Sequence, residues 1–173
     1  GYPRYGKHRA RGKFRTPTGK IELFSTRFEK YGKDPLPVYH KLPEPPEGSY
    51  RLLMGRNAYF THAALQNNRW LLKLYPENSI WIHPEEAGRI GIRDGQKVRV
   101  TSPIGEGVLA AKVTEAIRKD CVYMDHGFGH TSTGLEAAVG RGISDQVLIE
   151  DKSEKISGGV CYHETFVKVT PVG

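Results

Sequence analysis

Apolar and polar positions are patterned most clearly between Asn78 and Thr114. Ile80, Trp81 and Ile82 make a short β-favouring run, after which the chemistry changes to that of a helix start. His83 stands as N-cap, Pro84 at the first helical position, and Glu85 and Glu86 where the partial positive charge of a helix N-terminus favours acids. Ala87, Ile90 and Ile92 give that turn one apolar side, Gly91 is the expected stop, and Asp94-Gly95 is a turn signal. Lys97-Val98-Arg99-Val100 alternates as a half-buried strand should. Ile104-Gly105-Glu106-Gly107 is read as the next turn, with Val108 to Val113 returning as a strand. The stretch reads as a scaffold rather than a catalytic centre.

Elsewhere the pattern is patchier. Phe14 to Lys20 predicts a turn into a short alternating strand, Ile21 to Phe24, and Ser25 to Tyr31 predicts one or two helical turns. Five prolines between Pro35 and Gly48 predict an extended linker. Arg51 to Met54 reads as a strand ended by Gly55, and Ala63 to Tyr75 as a short helix or ordered loop. A turn through Lys119-Asp120 leads to strand Cys121 to Met124. Thr131 to Ile143 is loop-like with a helical turn at Leu135 to Val139, Val147 to Ile149 is a further short apolar run, and Thr165 to Val169 is the closing strand. Six or seven short strands, few helices and abundant Gly and Pro predict a mainly β fold, a small closed barrel with crossovers through short helices.

Composition divides the chain in two. At 173 residues there is one domain's length with room for a tail. Residues 1–33 hold ten Lys or Arg against two Glu, +8 of the total +7, so the remainder carries 7 − 8 = −1. We therefore read 1–48 as a basic, proline-rich lead segment with one short strand, partly disordered over Gly1 to Lys13, and 49–173 as the barrel domain. A basic arm suits nucleic-acid phosphates, which leaves a stand-alone adaptor or nucleic-acid-binding module as the alternative function. It equally suits a strip that packs on another part of a larger protein. No apolar run approaches the roughly 20 residues of a membrane-spanning helix. The start has neither Met nor signal-peptide pattern, so the chain reads as part of something longer. Cys121 and Cys161 have no CxxC partner and lie in apolar, strand-like surroundings, which predicts buried free thiols, with a single disulfide left open.

Candidate chemistry falls on three polar, Gly-rich loops that follow predicted strands: Gly55 to His62, His126 to His130 and Gly140 to Asp145. Gly lets backbone approach a ligand closely, successive N–H groups can cradle a phosphate, and Arg56 adds a planar fork suited to phosphate or a conjugated ring. The set suits a flat, polar, phosphate-bearing ligand, although neither GxxxxGK nor a strand-to-helix GxGxxG is present. His126 and His130 have metal-ligand spacing only on a helix, which Gly127 and Gly129 oppose, and no acid or Cys nearby completes a set. They are read as loop hydrogen-bonders or ligand contacts. No residue is assigned to catalysis or to a metal.

These residues resemble a known family. The loop with strand, Gly55-Arg56 and His62, and the run IHPEEAGRIGIRDGQKVRVTSPIGEGVLAAKVT, are similar to the C-terminal dinucleotide-binding domain of molybdopterin oxidoreductases of the dimethyl sulfoxide reductase family. Phe14 to Leu23 resembles the segment leading into it. His126-Gly127-Phe128-Gly129-His130, Gly142-Ile143-Ser144-Asp145 and Glu164 to Val169 resemble the thiosulfate and polysulfide reductase branch. The resemblance implies a six-stranded double-psi β-barrel holding part of a bis(molybdopterin guanine dinucleotide) molybdenum cofactor, in a catalytic subunit that reduces an inorganic sulfur compound. An iron–sulfur cluster and the metal's protein ligand are expected upstream, so this piece alone should be inactive. It further implies an iron–sulfur electron-transfer subunit and a membrane anchor as partners, no nucleic acid, and a periplasmic location. Matched residue by residue, Gly55, Arg56, Thr61 and His62 fall in the loop that contacts pterin and phosphate. Asn57 and Asn67 lie in the same segment, and His126 and His130 in the second loop. Asp145 and His163 stand where relatives often have Asn.

Overall fold

A computed structural model describes residues 14–155 and 157–172; Gly1 to Lys13, read above as poorly ordered, lies outside the described residues. The chain forms two compact units, Gly1–Leu42 and Pro43–Gly173, divided inside the proline-rich stretch.

In the first unit the predicted turn is present, with the Phe14 and Gly19 backbones bonded, and Ser25 caps helix α1, Thr26–Lys30. The strand expected at Ile21 to Phe24 does not form. Ile21 and Leu23 are 70% and 79% exposed, and an alternating run with no partner among the described residues to accept its ladder bonds stays irregular.

The second unit is a closed barrel. Its strands are β1 (Tyr50–Gly55), β2 (Ser79–Ile82), β3 (Lys97–Thr101), β4 (Glu106–Val113), β5 (Cys121–Asp125) and β6 (Phe166–Pro171). They close in the order β1-β5-β2-β4-β3-β6, with β6 returning to β1. Two neighbouring pairs are parallel, β1 with β5 and β2 with β4, and the other four are antiparallel. Parallel neighbours demand crossovers, which run through the short helices α2 (Arg69–Leu74) and α3 (Pro84–Arg89). This is the expected six-stranded double-psi barrel.

Alternation explains the interior. Val98 and Val100 of β3 and Val167 and Val169 of β6 point inward with Leu52, Ile80, Ile82, Leu109, Val122 and Met124, while Lys97 and Arg99 face solvent. Each fully buried aliphatic side chain contributes about 1.5–3 kcal/mol, so the interior, not the six-residue helices, carries the stability. The hairpin differs from expectation in register. The turn is Ser102 to Gly105, and β4 already begins at Glu106. Gly107 is a strand residue, paired with Val100 across the hairpin, and the Ile143 side chain fills the space a Cβ would take there, 2.4 Å away. The apolar run at Val147 is not a strand: Asp145–Val147 is a 3-10 turn capped by Ser144, from which Leu148 enters the core. Leu135 to Val139 makes hydrogen-bonded turns without becoming a helix. Both cysteines are free thiols, Cys121 buried as expected but Cys161 half-buried at the edge of the 3-10 turn Tyr162–Glu164.

Helix α3 follows its sequence signals, with His83 accepting from the Glu85 N–H, Pro84 first, and Gly91 at φ 71° beyond its end. It is tied to β1 by Tyr50, whose hydroxyl donates to Glu86 (2.9 Å) and accepts from Arg89 (2.9 Å). The Arg89 hydrogen bond holds the Glu86 carboxyl below the usual range, against the opposing effect of burial and with help from Tyr50. Because the folded value is the lower one, this stabilisation is present above the ordinary glutamate value and is lost as pH falls through the folded one. Thermal melts between about pH 6 and pH 3 should therefore show the gap between wild type and Glu86→Gln closing as the solution is acidified. A constant gap would contradict the assignment.

Candidate functional site

Four chain segments converge at one end of the barrel. The loop after β1 begins at Arg56, and the loop after β5 begins at His126, directly beside it because Gly55 and Asp125 are register partners in the parallel pair. The His126 N–H donates to the Gly55 carbonyl at 3.0 Å. The third segment, Gly140 to Gln146, zips to the second through Gly129 N–H to Arg141 O and Gly140 N–H to His130 O, both 3.0 Å. The fourth is the Tyr162–Glu164 turn.

Three devices fix these loops. Asn78, fully buried, donates from Nδ2 to the carbonyls of Asp125 (2.8 Å) and Ile143 (2.9 Å) and accepts from the Ile143 N–H (3.1 Å). Beneath the first two loops Phe60, Leu72 and Phe128 form a small second core, Phe60 and Phe128 meeting edge to face at 5.6 Å. Behind the strand ends lies the buried Asp125 carboxylate, which accepts from the Tyr75 hydroxyl (2.5 Å) and the Tyr123 hydroxyl (2.8 Å). Burial, then the Asp125 hydrogen bond, push both phenols well above the usual tyrosine range, so both stay protonated donors. The Tyr123 ring leaves no room for a side chain at Gly55, where a Cβ would sit 2.7 Å from it.

The loops enclose two adjoining cavities of about 550 and 570 Å³ that share His62, His126, Asp145, Gln146 and Tyr162. Of the residues singled out from sequence, Gly55, Arg56, His62, His126, Asp145 and His163 line the first, and His62, His126, His130 and Asp145 the second. The other three lie outside both linings. Asn57 accepts from the Tyr59 N–H (2.9 Å), Asn67 accepts from the Ala137 N–H (2.8 Å), and Thr61 pairs with Ala64 in an isolated bridge. Sequence reading missed Gln146, Tyr162, Thr131 and Ser132 in the lining, and Asn78 as the clamp.

The lining suits a phosphate-bearing ligand. Arg56 is exposed and pairs with no acidic side chain among the described residues. His130 has a buried Nε2 with no hydrogen-bond partner, the kind of group that a ligand or water completes. Thr131, Ser132 and Ser144 add hydroxyls. Among the described residues no three His, Cys, Asp or Glu side chains gather to hold a metal ion.

Residues 50–166 match the molydopterin dinucleotide binding domain family. The chain belongs to that family. As a molybdopterin dinucleotide-binding domain it is 30% identical over 154 residues to the thiosulfate reductase molybdopterin-containing subunit of Salmonella typhimurium, covering 87% of this chain and 20% of that protein. A probable dimethyl sulfoxide reductase chain of Escherichia coli is 30% identical over 174 residues, with 91% and 21% covered. Among solved structures, acetylene hydratase from Pelobacter acetylenicus superimposes with a TM-score of 0.74 at 25% identity, over 92% of this chain and 24% of that one. The chain thus spans about a fifth of the length of these curated relatives. The cofactor of this domain is a molybdopterin guanine dinucleotide. The groove carries an unpaired Arg56 guanidinium, an orphaned His130 nitrogen and the hydroxyls of Thr131, Ser132 and Ser144, groups whose chemistry fits a phosphate-bearing cofactor.

Proposed function

We propose that the domain contributes one wall of the cofactor site in the catalytic subunit of a molybdenum oxidoreductase acting on an inorganic sulfur compound, thiosulfate or polysulfide. The observation that carries the reading is the groove itself, where Arg56, His62, His126 and His130 are brought together on loops from β1 and β5. The sulfur substrate draws support from the likeness to the thiosulfate reductase subunit over 87% of the chain. When bound, the cofactor supplies a molybdenum centre that exchanges electrons with the substrate. This chain's residues bind and orient: Arg56 and His130 offer N–H donors to anionic oxygens, Asn78 keeps the loops at their spacing, and the Asp125–tyrosine cluster fixes the strand ends from which they spring. The same reading gives the complete enzyme an iron–sulfur electron-transfer subunit, a membrane anchor and a periplasmic location.

The test is a substrate panel on the complete subunit, with reduced viologen dye as electron donor and thiosulfate, polysulfide, dimethyl sulfoxide and trimethylamine N-oxide as acceptors. Turnover of thiosulfate or polysulfide well above that of the two oxides is expected. The reverse order would overturn the sulfur assignment.

A further inference from the structure

Residues 14–42 take their shape without a core. None of them is buried, and helix α1 buries no side chain, yet the stretch is held by its own hydrogen bonds. The Phe14 N–H donates to the Gly19 carbonyl at 2.9 Å, the Thr16 hydroxyl to the Lys20 carbonyl at 2.6 Å, and the Ser25 N–H to the Pro35 carbonyl at 2.8 Å. Ile21, Leu23, Leu36, Val38 and Leu42 are each at least half exposed. So many large aliphatic side chains left in solvent over so short a length mark an interaction surface.

Charge narrows what that surface meets. Two of the three acids in the stretch are engaged within it: Glu22 accepts from the Thr18 N–H and hydroxyl, both at 2.9 Å, and Asp34 meets His40 at 2.9 Å. Its cations are left over. Arg15, Lys20, Arg27, Lys30 and Lys33 pair with no acid among the described residues. Aliphatic side chains flanked by unpaired cations complement an apolar groove with an acidic rim. Nucleic acid fits less well, because its bases stack on aromatic rings, whereas Ile21 and Leu23 gain most by burial against protein.

The relatives indicate whose groove it is. The domain family's match begins at Tyr50. The likeness to the probable dimethyl sulfoxide reductase chain leaves out only 9% of the 173 residues, about sixteen, so it runs through most of residues 14–49 as well. The stretch therefore goes with a chain of which this one spans 21%, and not with the barrel alone. We propose, resting on the reading of this chain as one part of a catalytic subunit, that residues 14–42 are a docking strap for the remainder of that subunit. Ile21 and Leu23 enter an apolar groove there, and Lys20, Lys30 and Lys33 pair with carboxylates along its rim. Because the strap is already shaped, docking orders little that is not ordered beforehand.

The experiment treats the complete subunit with a water-soluble carbodiimide, which joins an amine to a carboxylate only where the two touch, and reads the linked peptides by mass spectrometry. Lys20, Lys30 or Lys33 is expected in amide linkage to an Asp or Glu of the subunit outside these 173 residues. Mixing ¹⁵N-labelled with unlabelled subunit separates links within one molecule from links between two. Links only to acids of the barrel domain, links only between copies, or lysines left uncoupled would each overturn the proposal. So would co-purifying nucleic acid that shields them. Leu23→Asp and, independently, Ile21→Asp place a charge in the groove, so trypsin should cut the complete subunit after Arg27 and Lys30 at least about tenfold faster, since cleavage tracks opening of the strap. Both side chains are exposed in this chain, so neither substitution disturbs its own packing. Unchanged cleavage in both variants would overturn the proposal. Any of these failures leaves the cofactor reading standing, because cofactor content of Arg56 variants tests that reading separately.

Discussion

Asn78→Ala is expected to destabilise the barrel domain by about 3–5 kcal/mol, because it strips partners from two carbonyls and an N–H in a buried setting where each unsatisfied group costs about 1–3 kcal/mol. The amide joins the end of β5 to Ile143 in the third loop, and it is fully buried. Gly142, at φ 60°, passes so close that a Cβ there would lie 2.2 Å from the Asn78 Oδ1. Nothing can move in to replace the amide without displacing that backbone. For a chain of this size the loss corresponds to a fall in Tm of roughly 10 °C. Asn78→Asp should do no better, since it keeps the acceptor, loses both donors and buries a charge. Chemical denaturation measures the effect, and a cost below about 1 kcal/mol would show that the loops hold their spacing without the clamp.

Gly129→Ala should have an effect of similar size, about 2–4 kcal/mol, with a further consequence for the groove. The residue sits at φ 78°, and a Cβ would lie 2.2 Å from the Ser144 nitrogen and 2.8 Å from the Ile143 carbonyl carbon. Both are backbone atoms, so the second and third loops must part. Gly140 provides the comparison: its φ is 72°, but nothing lies within 4 Å of its Cβ position. Gly140→Ala therefore meets only the left-handed backbone preference and should cost about 1 kcal/mol. Cofactor content of the complete subunit should fall for Gly129→Ala and stay near wild type for Gly140→Ala. Equal losses would mean that loop separation is not what matters.

The contrast between strands and loops explains what could be read from the sequence. Strands β3 and β6 were legible because Val98, Val100, Val167 and Val169 alternate with polar residues, and a half-buried strand leaves that mark on any chain. Helix α3 was legible because its cap, first-turn Pro and acids are all local. Errors arose where a distant residue decides. Gly107 reads as a turn although it pairs with Val100 and Ile143 packs where its Cβ would be, and Ile21 to Phe24 reads as a strand although no partner strand pairs with it among the described residues. In the site, Gly and His in loops after strands pointed to Arg56, His62, His126 and His130. Asn57, Thr61 and Asn67 share the first segment, but their polar groups close local turns or brace a neighbouring loop. Asn78 left no signal, since its partners stand 47 and 65 positions away.

We propose that the groove headed by Arg56 holds the molybdopterin guanine dinucleotide. The deciding measurement is the content of molybdenum and acid-released guanine nucleotide per protein in the purified complete subunit carrying Arg56→Ala, with Arg56→Lys beside it. A charge-assisted hydrogen bond to a phosphate contributes about 1.5–3 kcal/mol, so removing the guanidinium should weaken retention by roughly one to two orders of magnitude. Both contents should fall together, with Arg56→Lys restoring only part. Full molybdenum and nucleotide content in a folded Arg56→Ala protein would contradict the claim.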